Sequence, residues 1–244
     1  MGEVYNRLEN NIPLYVPTDC EPNSSVIIYG RRRSGKTTWV KWFMYWNRYK
    51  YDDVYVFSTT SFTGHYQTFV PDHHVFPVFR EDIVQMIIDY QKEDSSRTFM
   101  VILDDVLDHM ADIRKSTALT ALFASGRHLN IAVIVCTQYP KALPPVFRQN
   151  VDVAVIFGSG SEDLHDMFHK SYGHALTKRM FAYMMEYHTA DHGALIALPC
   201  TPSKNPLDVF RRSKAERINV DFTVGLKMDP GRDRRRDPMQ DPPY

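Results

Sequence analysis

The sequence predicts a chain of the α/β class, with a mainly parallel central sheet and helices on both faces. Three observations carry this expectation. Short apolar runs, such as Val26-Ile27-Ile28-Tyr29 and Ile131-Ala132-Val133-Ile134-Val135-Cys136, alternate with stretches of helical spacing. The first of these runs leads into Gly30-Arg31-Arg32-Arg33-Ser34-Gly35-Lys36-Thr37, a GxxxxGKT loop ahead of a helical stretch. A third run, Phe99-Met100-Val101-Ile102-Leu103, ends in Asp104-Asp105, at the strand end where open α/β sheets place their ligands.

The elements follow in chain order. Residues 1–23 are polar and carry Pro13, Pro17 and Pro22, and read as an arm. The first core strand spans 25–29, then the glycine loop and a helix over 38–49. Trp39, Trp42, Phe43 and Trp46 follow helical spacing there, which suits core or subunit packing better than base stacking. Asp53-Val54-Tyr55-Val56-Phe57-Ser58 reads as a second strand, followed by a polar loop with Ser61, Gly64 and His65. Residues 80–92 place Ile83, Val84, Ile87 and Ile88 at helical spacing. The acid-bearing strand is continuously apolar, as a buried parallel strand should be. A helix over 118–123 ends near Gly126. Strands over 131–136 and 151–157, helices over 164–168 and 176–185, and a last strand over 194–198 complete the pattern. The expected organisation is an N-terminal arm (1–23), a core (24–200) and a C-terminal extension with a flexible basic tail (201–244).

The loop has the features of the phosphate-binding loop of P-loop NTPases. Gly30 and Gly35 let the backbone turn tightly and aim its amides at phosphate oxygens, and the following helix N-terminus adds partial positive charge. Residues 30–38, including Ser34 and Thr38, are therefore expected to hold nucleotide. Lys36 reaches the β- and γ-phosphates and the Thr37 hydroxyl can ligate Mg²⁺. Asp104 is expected to meet that metal, directly or through water, and Asp105 to polarise the attacking water. Asp105 is shorter than the Glu that many P-loop enzymes carry there. The strand over 131–136 ends in Thr137-Gln138 and lies between the two motif strands, the arrangement of the additional-strand class with three layers. Gln138 can donate and accept, which suits a sensor of the γ-phosphate or water. Arg31, Arg32 and Arg33 can meet phosphates, a neighbouring subunit or solvent, and no catalytic role is assigned to them.

Composition bounds the alternatives. A chain of 244 residues, 43% hydrophobic and 24% charged, can bury a full core. No apolar run approaches the roughly 20 residues that span a bilayer. The start, Met1-Gly2-Glu3-Val4-Tyr5, has neither the basic stretch nor the apolar core of a signal peptide. Cys20, Cys136 and Cys200 are few and scattered, which suits reduced thiols in a cytosolic setting. Net charge is zero, yet residues 204–236 hold ten Lys or Arg against five Asp or Glu. That end can touch nucleic-acid phosphates or stay a solvated tail. His165 and His169 are spaced like a helical zinc pair, but Asp166 stands between them and no third ligand is evident. His188 and His192 share that spacing in an expected loop. Neither pair is assigned to a metal.

The stretch Gly126-Arg127-His128-Leu129-Asn130-Ile131 through Cys136-Thr137-Gln138-Tyr139-Pro140, with Leu143-Pro144-Pro145-Val146-Phe147-Arg148-Gln149-Asn150-Val151-Asp152, resembles the FtsK–HerA superfamily of DNA-pumping ATPases. It is most similar to the viral genome-packaging branch of large cytoplasmic DNA viruses, polinton-like elements, virophages and double-jelly-roll viruses. The resemblance covers roughly residues 24–160. It implies ATP as the nucleotide, with Mg²⁺, and a homo-oligomeric ring of five or six subunits that threads double-stranded DNA. It also implies contact with viral capsid proteins, and a location at the assembly site in the host cytoplasm, with the virion as a further one. Such rings take a positive residue from the next subunit, and Arg127, ahead of Arg148, is the candidate. A packaging ATPase is thus the leading expectation. The rivals are a nucleotide-gated assembly switch with slow turnover and another additional-strand ATPase such as a helicase. Residues 62–67 and the basic tail are the candidate DNA-gripping segments.

Overall fold

The computed structural model describes residues 8–106 and 115–224. Residues 1–7 of the expected arm, and the expected basic tail from residue 225 onward, lie outside the described residues.

Among the described residues, eight strands form one sheet: β1 (Ser25–Tyr29), β2 (Asp53–Ser58), β3 (Val75–Phe76), β4 (Phe99–Asp104), β5 (Ile131–Thr137), β6 (Val153–Phe157), β7 (Ala194–Ala197) and β8 (Phe210–Ser213). Their spatial order is β3-β2-β4-β5-β1-β6-β7-β8. The first six are mutually parallel, whereas β7 and β8 run antiparallel to their neighbours. Strand β5 stands between the acid-bearing β4 and the loop-bearing β1, as the sequence implied. The α-helices that lie between Ser25 and Ser213 among the described residues are α1 (Lys36–Trp46), α2 (Glu81–Glu93), α3 (Thr117–Ser125), α4 (Pro145–Gln149), α5 (Glu162–Tyr172), α6 (Lys178–His188) and the short α7 (Pro206–Val209).

Alternation along the strands divides the interior in two, because successive side chains of a strand point to opposite faces. Val26, Ile28, Val54, Val56, Ile102 and Ile134 face one side, where Trp39, Val40, Phe43 and Met44 of α1 cover them. Ile27, Tyr29, Val101, Leu103, Val133 and Ile156 face the other, under α2, α3, α5 and α6. The helices bury one stripe each. In α2 that stripe is Val84, Ile87 and Ile88, and Glu81 and Asp82 in its first turn oppose the helix dipole. Ser116 caps α3 by accepting from the Leu119 amide, and Thr177 caps α6 by accepting from the Met180 amide. The second face is further tied by the Tyr29 and Tyr172 hydroxyls, 2.6 Å apart.

The sequence reading ended the strands near residue 198, but the structure adds β8. Its pattern is a weak signal, since Arg211 and Arg212 stand between the buried Phe210 and Ser213. The chain start completes this edge: the Tyr15 amide donates to the Arg212 carbonyl and the Arg212 amide to the Pro13 carbonyl, both at 2.9 Å. His188 is also not in a loop. It closes α6 and is buried, and burial lowers its pKa to about 4. Among the described residues, no helix is long and apolar enough to cross a membrane.

Trp39 joins α1 to the added strand. It is fully buried, stacks on Phe43 and donates from Nε1 to the Ser213 hydroxyl at 3.1 Å. Trp39→Ala should therefore destabilise the fold by about 3–5 kcal/mol, the range for an aromatic-to-alanine cavity, as read from the urea midpoint.

Candidate active site

All the strand ends that matter converge on one edge. In register, Tyr29 of β1 lies beside Thr137 of β5, and Cys136 beside Asp104 of β4. The loop after β1, the acids after β4 and Gln138 after β5 therefore open into the same space. This is a cleft of about 510 Å³ lined by Lys36, Thr37, Thr38, Asp104 and Asp105, among others. Its volume falls within the roughly 300–1,000 Å³ of small-molecule and cofactor sites.

The loop's shape explains its glycines. A Cβ on Gly30 would lie 2.3 Å from the Ser34 hydroxyl, and Gly35 has φ 111°, a conformation that side chains rarely adopt. Gly35 precedes α1 without any side-chain cap, which leaves the first amides of the helix free for an anion. Arg33 also takes a left-handed conformation, φ 64°. Arg32 and Arg33 line the cleft, whereas the Arg31 guanidinium lies against Gly160.

Lys36 is only 5% exposed. Its Nζ donates to the carbonyls of Gly30 (2.9 Å) and Arg31 (3.3 Å) and stands 3.8 Å from Asp105 Oδ1. Gln138 Nε2 donates to Asp105 Oδ2 at 2.7 Å. Asp105 is held with φ 52°, an uncommon backbone state for a residue other than glycine. Asp104 is buried, and the Tyr66 hydroxyl donates to its Oδ2 at 2.8 Å. Burial pushes the Asp104 carboxyl up. The Tyr66 hydrogen bond and the Lys36 charge act against this, and the Asp105 charge acts with it.

Two carboxylate oxygens, Asp104 Oδ1 and Asp105 Oδ1, are buried without a hydrogen-bond partner. Buried acceptors of this kind ordinarily find one. Together with Thr37 in the same cleft they form an all-oxygen donor set, the type that Mg²⁺ prefers. The residues present therefore fit a divalent cation.

Arg127 and Arg148 lie elsewhere. Arg127 precedes β5 and pairs with Asp152, which precedes β6. Both are at the sheet edge opposite the cleft, and the seven residues of β5 set about 20 Å between those edges. The Arg127 side chain is 57% exposed. Arg148 is half-buried, and its Nη1 donates to the Leu143 carbonyl at 2.5 Å. Of the histidine pairs, His169 Nε2 lies 2.9 Å from the Leu176 carbonyl and its ring packs on Phe181, while His192 lies at the cleft.

Sequence reasoning did not single out Tyr66 for the site. Nor did it anticipate that Thr60, Asp191, His192, Lys214 and Arg217 would line the cleft. No motif marks these residues, and only the pairing of β7 and β8 and the fold of the segment after β2 bring them there.

The raised Asp104 carboxyl gives a pH-dependent prediction for protein free of nucleotide and metal. An acid whose folded pKa exceeds its unfolded value destabilises the fold above that pKa, and the cost disappears as pH falls through it. Asp104→Asn should therefore melt at a higher temperature than wild type near about pH 8, with the difference shrinking toward about pH 4. Thermal unfolding of both proteins across that range checks this, and a constant difference would contradict it.

Comparison with known proteins bears on the fold and the family. An uncharacterized protein, 088R of Invertebrate iridescent virus 3, is 28% identical over 207 residues, covering 80% of this chain and 78% of that protein. Uncharacterized protein 015R of Frog virus 3 (isolate Goorha) is 26% identical over 170 residues, covering 67% of this chain and 52% of that protein. Among solved structures, B204, the DNA-packaging ATPase from Sulfolobus turreted icosahedral virus, superposes with a TM-score of 0.57 at 16% identity. The match covers 81% of this chain and all of that one. The genome-packaging NTPase B204 from Sulfolobus turreted icosahedral virus 2, in complex with ATP-γ-S, gives 0.59 at 14% identity over 80% of this chain and 98% of that one. These likenesses establish a shared P-loop fold. Residues 21–194 match the poxvirus A32 protein family, and the chain belongs to that family.

Proposed function

We propose that this protein is an ATP-hydrolysing motor that moves double-stranded DNA into a preformed viral capsid. The observation that carries the enzymatic part is the meeting of Lys36, Asp104, Asp105 and Gln138 at the mouth of one phosphate-binding loop. The packaging role is supported by membership of the A32 family and by the shared fold with viral genome-packaging NTPases.

In this reading the amides at the turn of Gly35 and the first turn of α1 cradle the phosphates. The Lys36 ammonium, held among the described residues by loop carbonyls and Asp105, exchanges those partners for the β- and γ-phosphate oxygens. Thr37 and Asp104 would hold Mg²⁺, which supplies neutralisation of the charge on the β- and γ-oxygens. Asp105 accepts from Gln138, and the pair is positioned to orient the attacking water. Release of Lys36 from Asp105 leaves that carboxylate free to accept the water's proton. Arg127 cannot reach the cleft of its own chain from the opposite sheet edge, so its guanidinium serves a neighbour's nucleotide in a ring of five or six subunits. A guanidinium in that role is worth about 10³–10⁵ in rate. Arg148 is the weaker candidate, because it is half-buried against its own chain's carbonyls whereas the Arg127 side chain is 57% exposed. The motor would act at the viral assembly site in the host cytoplasm, with capsid proteins as partners.

A second reading has one observation in its favour. Asp105 is short and bound by both Lys36 and Gln138, which suits slow turnover and a nucleotide-gated assembly switch.

Lys36→Ala should retain the fold by circular dichroism while losing ATP hydrolysis by at least about 10²-fold, the loss typical for a group that stabilises developing charge. A folded variant with wild-type turnover would sink the assignment. Arg127→Ala should be similarly inactive alone. Mixed with Lys36→Ala it should regain activity, because mixed rings contain interfaces where an intact Lys36 meets an intact Arg127. No recovery in mixed rings would remove Arg127 from the role.

A further inference from the structure

The antiparallel edge of the sheet does more than cover apolar surface. Ala194 of β7 pairs with Phe157 of β6 on one side and with Ser213 of β8 on the other. The start of β7 and the end of β8 therefore lie at the same sheet edge as the phosphate-binding loop. This brings two segments distant in sequence to the cleft: the turn Asp191-His192 before β7, and Lys214, Ala215 and Arg217 after β8. His192 is fastened to the loop itself, its Nδ1 donating to the Ser34 carbonyl at 3.2 Å. Asp191 and Lys214 form an ion pair that closes the two segments into one wall.

The sheet order gives the wall its orientation. Asp104, Asp105 and Gln138 come from β4 and β5, on one side of β1, and mark the γ-phosphate end. Asp191, His192, Lys214 and Arg217 come from beyond β6, on the other side of β1. A triphosphate laid across the loop with its γ-phosphate at the acids must point its sugar and base at that wall. The groups there suit a nucleoside. His192 offers a flat ring, the Arg217 guanidinium can stack on a base, and Lys214 and Asp191 can hydrogen-bond a ribose.

We infer that the segment 214–217, with the Asp191-His192 turn, is the nucleoside-binding wall of the site, so that residues after β8 decide how tightly a nucleotide is held relative to bare phosphates. The inference rests on the nucleotide-binding reading above. It also goes beyond it, since residues 214–217 lie outside the 21–194 stretch that matches the family.

The test is calorimetric binding of ATP and of inorganic tripolyphosphate to the full chain, as wild type, as Lys214→Ala/Arg217→Ala and as His192→Gly. All three side chains are exposed, so the fold should tolerate their loss. Glycine also suits the left-handed backbone of His192, φ 59°. The double variant should bind ATP about 10-fold more weakly, with tripolyphosphate changed by less than about twofold. His192→Gly should weaken ATP in the same selective way. Equal losses for ATP and tripolyphosphate would assign these cations to the phosphates and overturn the inference, as would unchanged ATP binding in both variants. Wild-type protein that binds neither probe would overturn the nucleotide reading itself.

Discussion

A buried lysine charge at the first position of the helix that follows the glycine loop sets the terms for the rest of this molecule. Lys36 is almost withdrawn from solvent, and burying an ammonium is costly unless partners replace its water. The partners are two carbonyls of its own loop and, at longer range, Asp105. That requirement explains the tight loop around Gly30 and Gly35 and the presence of an acid opposite. It also leaves Lys36 bound by contacts that a phosphate can replace with better ones. The site is strained in the same sense: Asp105 is held in a left-handed conformation, and one buried oxygen each of Asp104 and Asp105 has no hydrogen-bond partner. In the proposed function a polyanion would take over the Lys36 ammonium and a divalent cation the unpaired carboxylate oxygens.

The sheet converts this local chemistry into a directional site. Inserting β5 between β1 and β4 widens the gap between loop and acids by one strand and fills it with Gln138. Strand β7 alone runs against the sheet direction and β8 turns back along it, so the chain stands at the ligand edge on the far side of the loop both before β7 and after β8. In the proposed reading a nucleotide has its chemical end over β4 and β5 and its recognition end over β7 and β8. The edge opposite the cleft carries Arg127, paired with Asp152, and this position is what assigns it to a neighbour's site in the proposed function.

Much of this was legible in the sequence because the relevant signals are local. The glycine loop, the helix after it and the apolar run ending in Asp104-Asp105 each depend on residues close in the chain, and β1, β2 and β4 begin and end where those patterns predict. Contacts set by tertiary pairing were not legible. Tyr66 reaches Asp104 across 38 residues, and a lone tyrosine in a polar segment has no motif. Strand β8 escaped notice because Arg211 and Arg212 interrupt its apolar pattern, although Phe210 and Ser213 are buried. His188 and His192 shared a spacing in sequence but were separated by the end of α6, which buries one and leaves the other at the cleft. The site beyond β7 became visible only once the antiparallel edge was known.

The most direct test of the account is the steady-state rate of ATP hydrolysis by the full chain, with and without linear double-stranded DNA, at low and moderate salt. A motor that grips duplex DNA should turn over faster when DNA is present, and the gain should weaken as salt screens phosphate contacts. A measurable rate that does not respond to DNA in an assembled ring would contradict the motor and leave the nucleotide-gated switch as the better description.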